Sequence, residues 1–221
     1  MFITPGCLQC SVAGPLRCRP MLRYTLQMGT FPFTIQHLWS NVLDAAREYS
    51  RAEAKLSQAE ATGAWDKEGL TAKRKAAELA IAIDGLSDRA HCESSLTVEV
   101  IRKDVSALCY WPRSQDLRPQ ALERVQSVAN AYKHYHLDNK RTNVIDSFDD
   151  VLTVGLGYGL DGYGVGKYEG VEVLVRDKTG KLWKFQGDAP TVICAWLRYL
   201  KDNGGCMPLD PLEVCGVRVY P

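Results

Sequence analysis

A seam of apolar residues between positions 72 and 90 constrains the fold of this chain more than any other feature. Its members recur at intervals of 4, 3, 4, 3 and 4 residues: Ala72, Ala76, Leu79, Ile83, Leu86 and Ala90. This spacing brings side chains onto one side of an α-helix and is typical of a helix that packs along a partner helix. The seam therefore predicts a long helix with a second helix beside it.

The segment before the seam supplies that second helix. Thr34 is predicted as its N-cap. One broad apolar face follows, formed by Ile35, Leu38, Val42, Tyr49, Leu56 and Ala59. Gly63 interrupts the pattern, and because the link is short, the two helices are predicted to form an antiparallel hairpin.

Two shorter amphipathic patterns complete a predicted bundle over residues 34–139. In the first, between residues 96 and 109, the apolar positions are Val98, Ile101, Val105 and Leu108. Pro112 ends that helix. In the second, after Pro119, the apolar stripe is Leu122, Val125, Ala129, Tyr132 and His136. Helices with one apolar face each pack into a bundle.

Beyond Asn139 the pattern changes to strands and turns. Valines alternate with other residues over 171–176, turn residues occupy 177–180, and 181–185 returns as the second arm of a hairpin. Further strands are predicted at residues 150–154 and 214–219. A last helix is predicted with Asp188 as its N-cap and Pro190 near its first position.

These patterns predict an α+β fold: an N-terminal antiparallel bundle of about four helices, then a small β-hairpin or sheet with a C-terminal helix. Residues 1–33 show no apolar periodicity, so we expect a disordered leader or a stretch upstream of a true start at Met21 or Met28. Residues 34–139 are expected to form the bundle, and residues 140–221 a small α/β segment packed on it.

Composition excludes more functions than it indicates. The chain holds 27 basic and 26 acidic residues, and its basic surplus is confined to three arginines within the first 33 positions. A nucleic-acid binder usually carries a basic face on its folded body, so this balance disfavours one. No run of about 18 apolar residues occurs, so we expect no membrane span. Eight cysteines in a chain too long for a disulfide scaffold indicate a soluble, cytoplasmic protein, with Cys92, Cys109 and Cys194 in the core.

Two motifs with chemical meaning are incomplete. Cys7 and Cys10 have the spacing of half a zinc site, but no second ligand pair follows. Residues 157–162 match a Gly-x-Gly-x-x-Gly dinucleotide fingerprint, yet Gly164 and Gly166 disfavour the helix that must open at its end. We therefore expect neither metal nor cofactor. A phosphate-covering glycine loop and a divalent-ion site among the acidic residues of 146–161 stay open as alternatives.

The strongest candidate for chemistry lies at the end of the fourth predicted helix. Asn130, Lys133 and His134 adjoin one another on its surface, whereas His136 diverges from His134 by about 160° and continues the apolar stripe. A histidine beside a lysine can act as a general acid or base, because the ammonium lowers the pKa of the imidazole. The alternative is an ordinary solvated polar face.

Residues 128–137, with Asn130, Lys133 and His134, resemble the Asn-x-x-Lys-His helix of bacterial proteins of about this length. The helical part of those proteins is similar to HEPN-type bundles of antiparallel helices. The resemblance implies a metal-independent endoribonuclease of a toxin or defence system, in which an arginine precedes the histidine by four to six residues. This chain departs from that motif, because Arg124 lies ten residues before His134.

Two classes of function follow from these residues. The first is a binding or assembly module that recognises a protein partner or self-associates. The second, implied by the resemblance, is a HEPN-like ribonuclease that cleaves RNA with His134, Lys133, Asn130 and an arginine from elsewhere or from a second subunit. We favour the first because the sequence shows no complete catalytic set, and whether the protein is an enzyme stays open.

Overall fold

Helices that pack together come first in this α+β chain, followed by a three-stranded antiparallel sheet, a last helix and a two-stranded antiparallel sheet; the α+β class and the C-terminal sheet-and-helix segment are as predicted. The computed structural model describes residues 30–60, 65–134, 143–155, 171–207 and 210–219. Within these ranges the α-helices are α1 (Pro32–His37), α2 (Leu43–Glu60), α3 (Asp66–Cys92), α4 (Val98–Ala107), α5 (Ala121–His134) and α6 (Phe185–Asp202). The strands are β1 (Val151–Gly155), β2 (Val171–Arg176), β3 (Leu182–Lys184), β4 (Leu212–Val214) and β5 (Val217–Val219).

The predicted apolar seam is the inner face of α3. All of its members are fully buried: Ala72, Ala76, Leu79, Ile83, Leu86 and Ala90. Helices α2 and α5 both pack against α3, and Tyr49 and Leu56 of α2 are fully buried as predicted. Alanines occupy both ends of the seam, where neighbouring helices can approach closely, while the leucines and the isoleucine fill the space in its middle.

The first helix begins before the predicted N-cap. Pro32 is the first residue of α1, and Thr34 lies inside the helix. The amide nitrogens of Phe33 and Thr34 donate to the Glu93 carboxylate, at 2.7 and 2.8 Å, and the Thr34 hydroxyl donates to it at 2.5 Å. A carboxylate at the end of α3 therefore satisfies amides that a local cap would otherwise serve.

A π-helical stretch, Leu38–Val42, joins α1 to α2, and His37 lies at its start. The His37 ring is buried; its Nε2 lies 2.8 Å from the Ala82 carbonyl oxygen, and its Nδ1 lies 2.6 Å from Asn41 Nδ2. The amide nitrogen can only donate and the carbonyl oxygen can only accept, so this geometry fits a neutral ring with its proton on Nε2. Burial lowers the pKa of His37 below its ordinary value of 6.5; the positive charge of Arg89 adds to this, and the Ala82 hydrogen bond opposes it.

We expect His37 to make the stability of the protein pH-dependent. Because its pKa is lower in the folded chain than in the unfolded one, the neutral ring contributes stability that is complete above pH 6.5 and is lost as the pH falls through the folded value. Urea unfolding measures the free energy of unfolding at pH 7.5 and at about pH 5. Between these two pH values, that free energy should fall more for the wild type than for His37→Gln, whose side chain does not titrate. An equal loss in both proteins would contradict this role of His37.

The three-stranded sheet has the order β1-β2-β3, and both pairs are antiparallel. Val151 pairs with Val175, and Val175 with Trp183, so the predicted hairpin and the predicted strand before it are confirmed. The turn is held by Asp177, whose carboxylate accepts from the backbone amides of Thr179 and Lys181 and from the Trp183 indole. This Asx-type turn is the local signal that made the hairpin predictable.

Two predictions in the C-terminal part are wrong in detail. Residues 214–219 do not form one strand; β4 and β5 pair across a two-residue turn at Cys215 and Gly216, whose φ angles are 51° and 71°. Two positive φ values are typical of tight hairpin turns, and glycine provides one of them without strain. Asp188 is not an N-cap and Pro190 is not near the first position, because α6 begins at Phe185 and Lys184 precedes it as the N-cap.

Helix α6 contacts α3, α4 and α5 as well as β2 and β3, and Asp188 and Trp196 within it are fully buried. All residues of α6 from Gly187 to Leu197 are buried, so this part of the helix is enclosed on every side. Within the described ranges, no helix has the length and apolarity needed to cross a membrane.

Candidate functional site

The candidate residues at the end of α5 have three different environments. Asn130 is half-buried, and its Nδ2 donates to Asn143 Oδ1 at 3.3 Å. Lys133 is exposed, and its Nζ lies 3.4 Å from Asp84 Oδ2. His134 is exposed and is the last described residue of α5, and its ring makes no hydrogen bond to any residue within the described ranges. His136 lies outside those ranges.

Asp84 holds Lys133 in place. Its carboxylate is nearly buried on α3, and it receives Arg102 Nη2 of α4 at 3.0 Å on one oxygen and Lys133 Nζ of α5 on the other. A nearly buried carboxylate needs such partners, because removing it from water without them is costly. The charge of Lys133 is therefore directed toward a contact between three helices.

An aromatic surface adjoins these residues. Tyr132, predicted to lie in the buried stripe, is 41% exposed, which corrects that prediction. Its ring packs edge-on against Phe148, with centroids 5.2 Å apart, and Lys73 Nζ lies 4.4 Å from the Phe148 centroid. Aromatic edge contacts and cation–π contacts fix ring orientation at a surface. We call Tyr132, Lys133, His134 and Phe148 the α5-end surface.

Lys73 is the second cation of this region. Burial lowers its pKa below the usual lysine value, and the negative charges of Asp149 and Asp150 act in the opposite direction. These two aspartates lie beside Phe148 in the chain, so the α5-end surface is bordered by both signs of charge. Such mixed charge suits a protein surface better than a polyphosphate backbone.

These contacts determine whether Asn130, Lys133 and His134 can act together in catalysis. An exposed imidazole can exchange protons near neutral pH, but acid–base catalysis also needs a second group positioned beside it. Lys133 interacts with Asp84 and Asn130 with Asn143, and among the described residues no hydrogen bond or ion pair joins His134 to an arginine. Asn130 and Lys133 are thus neighbours of His134 along α5 whose side chains interact with other residues, Asn143 and Asp84.

A second polar cluster, which the sequence did not reveal, joins the start of α5 to the start of α6. Arg124 is 1% exposed, and its Nε and Nη2 each donate at 2.8 Å to the two oxygens of the fully buried Asp188. Arg118 Nε donates to the same carboxylate at 2.5 Å. The Trp183 ring centroid lies 3.9 Å from the Arg124 guanidinium carbon. Each hydrogen-bonding group of Arg124 is satisfied, since Nη1 donates to the Pro119 carbonyl at 2.9 Å.

This cluster has a structural role and is not arranged for catalysis. A bidentate, stacked arginine on a buried aspartate is a rigid arrangement with little access to solvent. The sequence signal was absent because Arg124 and Asp188 are 64 positions apart. Arg124, which sequence reasoning compared with a catalytic arginine, is thus turned toward α6.

Two buried thiols, Cys109 and Cys215, are not set up for nucleophilic chemistry. Burial is the main cause that raises the pKa of Cys109 and of Cys215, each to about 12. A thiol with so high a pKa holds its proton at neutral pH, and only the thiolate attacks or binds a metal. Cys109 and Cys194 lie in the core as predicted, whereas Cys92 is exposed at the end of α3, contrary to the prediction. Within the described ranges, no three His, Cys, Asp or Glu side chains converge as a metal site would require.

No protein-family model, no curated protein and no solved structure matches this chain. The resemblance of residues 128–137 to HEPN-type helices therefore gains no support from these comparisons.

Proposed function

We propose that this chain is a helical-bundle binding module that associates through the α5-end surface. The observation that supports this is the exposed Tyr132 ring of α5, which packs edge-on against Phe148 with ring centroids 5.2 Å apart. Tyrosine is enriched at the energetic centres of protein interfaces, because it buries a large apolar area and keeps a polar tip. A ring that is already oriented loses little side-chain entropy on binding.

The neighbouring side chains suit the same role. Lys133 forms an ion pair with Asp84, and His134 adds an exposed polar ring. Polar groups around an aromatic anchor are typical of the rim of an interface. The partner that can be tested directly is a second copy of this chain.

We expect the full chain to self-associate, and Tyr132→Ser to weaken that association by about tenfold or more, as the loss of an aromatic anchor does. Sedimentation velocity over a range of protein concentrations measures the dissociation constant of each variant. Phe33→Ser is the matched control, because Phe33 is 68% exposed on α1 and is not part of the α5-end surface. Equal effects of both substitutions, or a wild type that stays monomeric throughout, would contradict association through this surface.

The second candidate, a HEPN-like ribonuclease, is favoured by one observation: the His134 ring is open to solvent beside Lys133. His134→Ala separates the two candidates, because a change at an exposed side chain should alter stability by no more than about 0.5 kcal/mol. RNA cleavage by the purified chain that disappears in this folded variant would overturn the binding proposal. Cleavage that persists would exclude His134 as the acid or base.

A further inference from the structure

An open cleft of about 490 Å³ lies between the segment that follows α4 and the β4–β5 hairpin. Its walls are formed by Pro112, Arg113, Glu213, Gly216 and Arg218. Ligand sites in proteins have volumes of about 300–1,000 Å³, and the volume of this cleft lies within that range. It is separate from the residues of the α5-end surface.

Both walls are held by contacts outside the cleft. On one side, the Trp111 amide donates to the Asp116 carbonyl at 2.8 Å, which closes the turn that carries Arg113. On the other side, the hairpin is anchored by Val214, Val217 and Val219, all of them buried. The two walls also meet directly, because Arg113 Nη2 donates to the Gly216 carbonyl at 3.4 Å. These contacts connect both walls of the cleft to each other and to the core.

The two arginines of the cleft outnumber its one carboxylate, and neither forms an ion pair with a described residue. Arg113 and Arg218 are both exposed, and within the described ranges no carboxylate lies within 4.0 Å of either guanidinium. Glu213 pairs with Arg218 across the hairpin, yet the two side chains form no ion pair by this measure. Most other arginines of the described residues differ, since Arg102, Arg118, Arg124 and Arg176 each have a carboxylate partner.

We propose that this cleft binds a small ligand through an oxyanion group, a carboxylate or a phosphate. Arg113 and Arg218 bring two planar donor groups to one opening, and guanidinium groups match the paired oxygens of carboxylates and phosphates. Glu213 lines the same opening and accepts a hydrogen bond from a donor elsewhere on the ligand. The net charge of +1 from these three side chains attracts an anion.

The test is a titration of the full chain with each of two probes, inorganic phosphate and succinate, at constant ionic strength. Chemical shifts of the backbone amides in NMR spectra monitor binding at each step. We expect at least one probe to bind saturably and to shift the amides of residues 113, 216 and 218. The double variant Arg113→Gln with Arg218→Gln should weaken binding about tenfold or more, because charge-assisted hydrogen bonds are lost. Glu213→Gln should strengthen it about two- to fivefold, as the removal of one nearby surface charge does.

The matched control is the double variant Arg47→Gln with Arg51→Gln. It changes the net charge by the same amount at two exposed arginines of α2 that do not line the cleft. Saturation by phosphate alone or by succinate alone supports the site and identifies the group that it prefers. Shifts that never saturate, or binding that the cleft and control variants weaken equally, would overturn the proposal.

Discussion

Asp188→Ala is expected to lower the free energy of unfolding by about 3–5 kcal/mol, the usual cost of removing one partner of a buried ion pair. Asp188 is fully buried and accepts from both Arg118 and Arg124. Its removal leaves the guanidinium of Arg124, itself only 1% exposed, without a counter-charge. The loss is thus the desolvation cost of a charge that cannot reach water. Urea unfolding of both proteins measures it.

Asp44→Ala is the control for this measurement. Asp44 also pairs with an arginine, Arg47, but both side chains are more than 60% exposed. Exposed pairs contribute between about 0 and 1 kcal/mol, so the control should remain close to the wild type. A loss at Asp188 no larger than the loss at Asp44 would mean that Arg124 finds water or another partner when the carboxylate is removed.

The helices and the β2–β3 hairpin were predictable because their signals are local. The α3 seam repeats within one helix, and Asp177 closes its turn within a few residues. The cluster around Asp188 has no such signal. Its arginines lie 64 and 70 positions away, so only the folded chain brings them together. Without that partner in view, the aspartate near a helix start was interpreted as an N-cap, where aspartate is common.

The predictions for Thr34 as an N-cap and Tyr132 as part of the apolar stripe were wrong for the same reason. Each depends on a contact with another part of the chain, which gives no local signal in the sequence. Glu93 reaches the start of α1 from a position about 60 residues away and replaces a local cap. Tyr132 continues the spacing of the apolar stripe, but Phe148 meets it at the edge of the bundle and leaves part of the ring exposed. Helical spacing predicts the side of a helix on which a residue lies, and not how far the neighbouring elements extend over it.

For the candidate site, the sequence indicated which residues adjoin one another on α5. It did not indicate Asp84 as the partner of Lys133, because these two residues lie on different helices and are 49 positions apart in the sequence. The cleft between Arg113 and Arg218 was equally hidden, since it depends on how a turn after α4 meets the last hairpin. Sites made of distant segments need the tertiary structure, whereas a single helix face does not.

Trp196→Ala is expected to destabilise the chain by about 3–5 kcal/mol, as large-to-small changes at buried aromatic positions do. Trp196 is fully buried in α6, and its ring packs edge-on against Tyr199 with centroids 5.6 Å apart. Alanine leaves a cavity where α6 meets its neighbours, and close-packed elements on several sides cannot all move inward to fill it. Urea unfolding followed by circular dichroism measures the loss without relying on the fluorescence of the replaced residue.

Trp196→Phe shows whether the cavity or the indole nitrogen accounts for that loss. Among the described residues, the Trp196 Nε1 atom is buried and has no hydrogen-bond partner. Phenylalanine therefore removes no hydrogen bond to them, and it retains most of the ring contact with Tyr199. It should destabilise the chain much less than alanine does. A phenylalanine variant as unstable as the alanine variant would mean that the missing volume is not the cause, and that the indole N–H has a partner outside the described ranges.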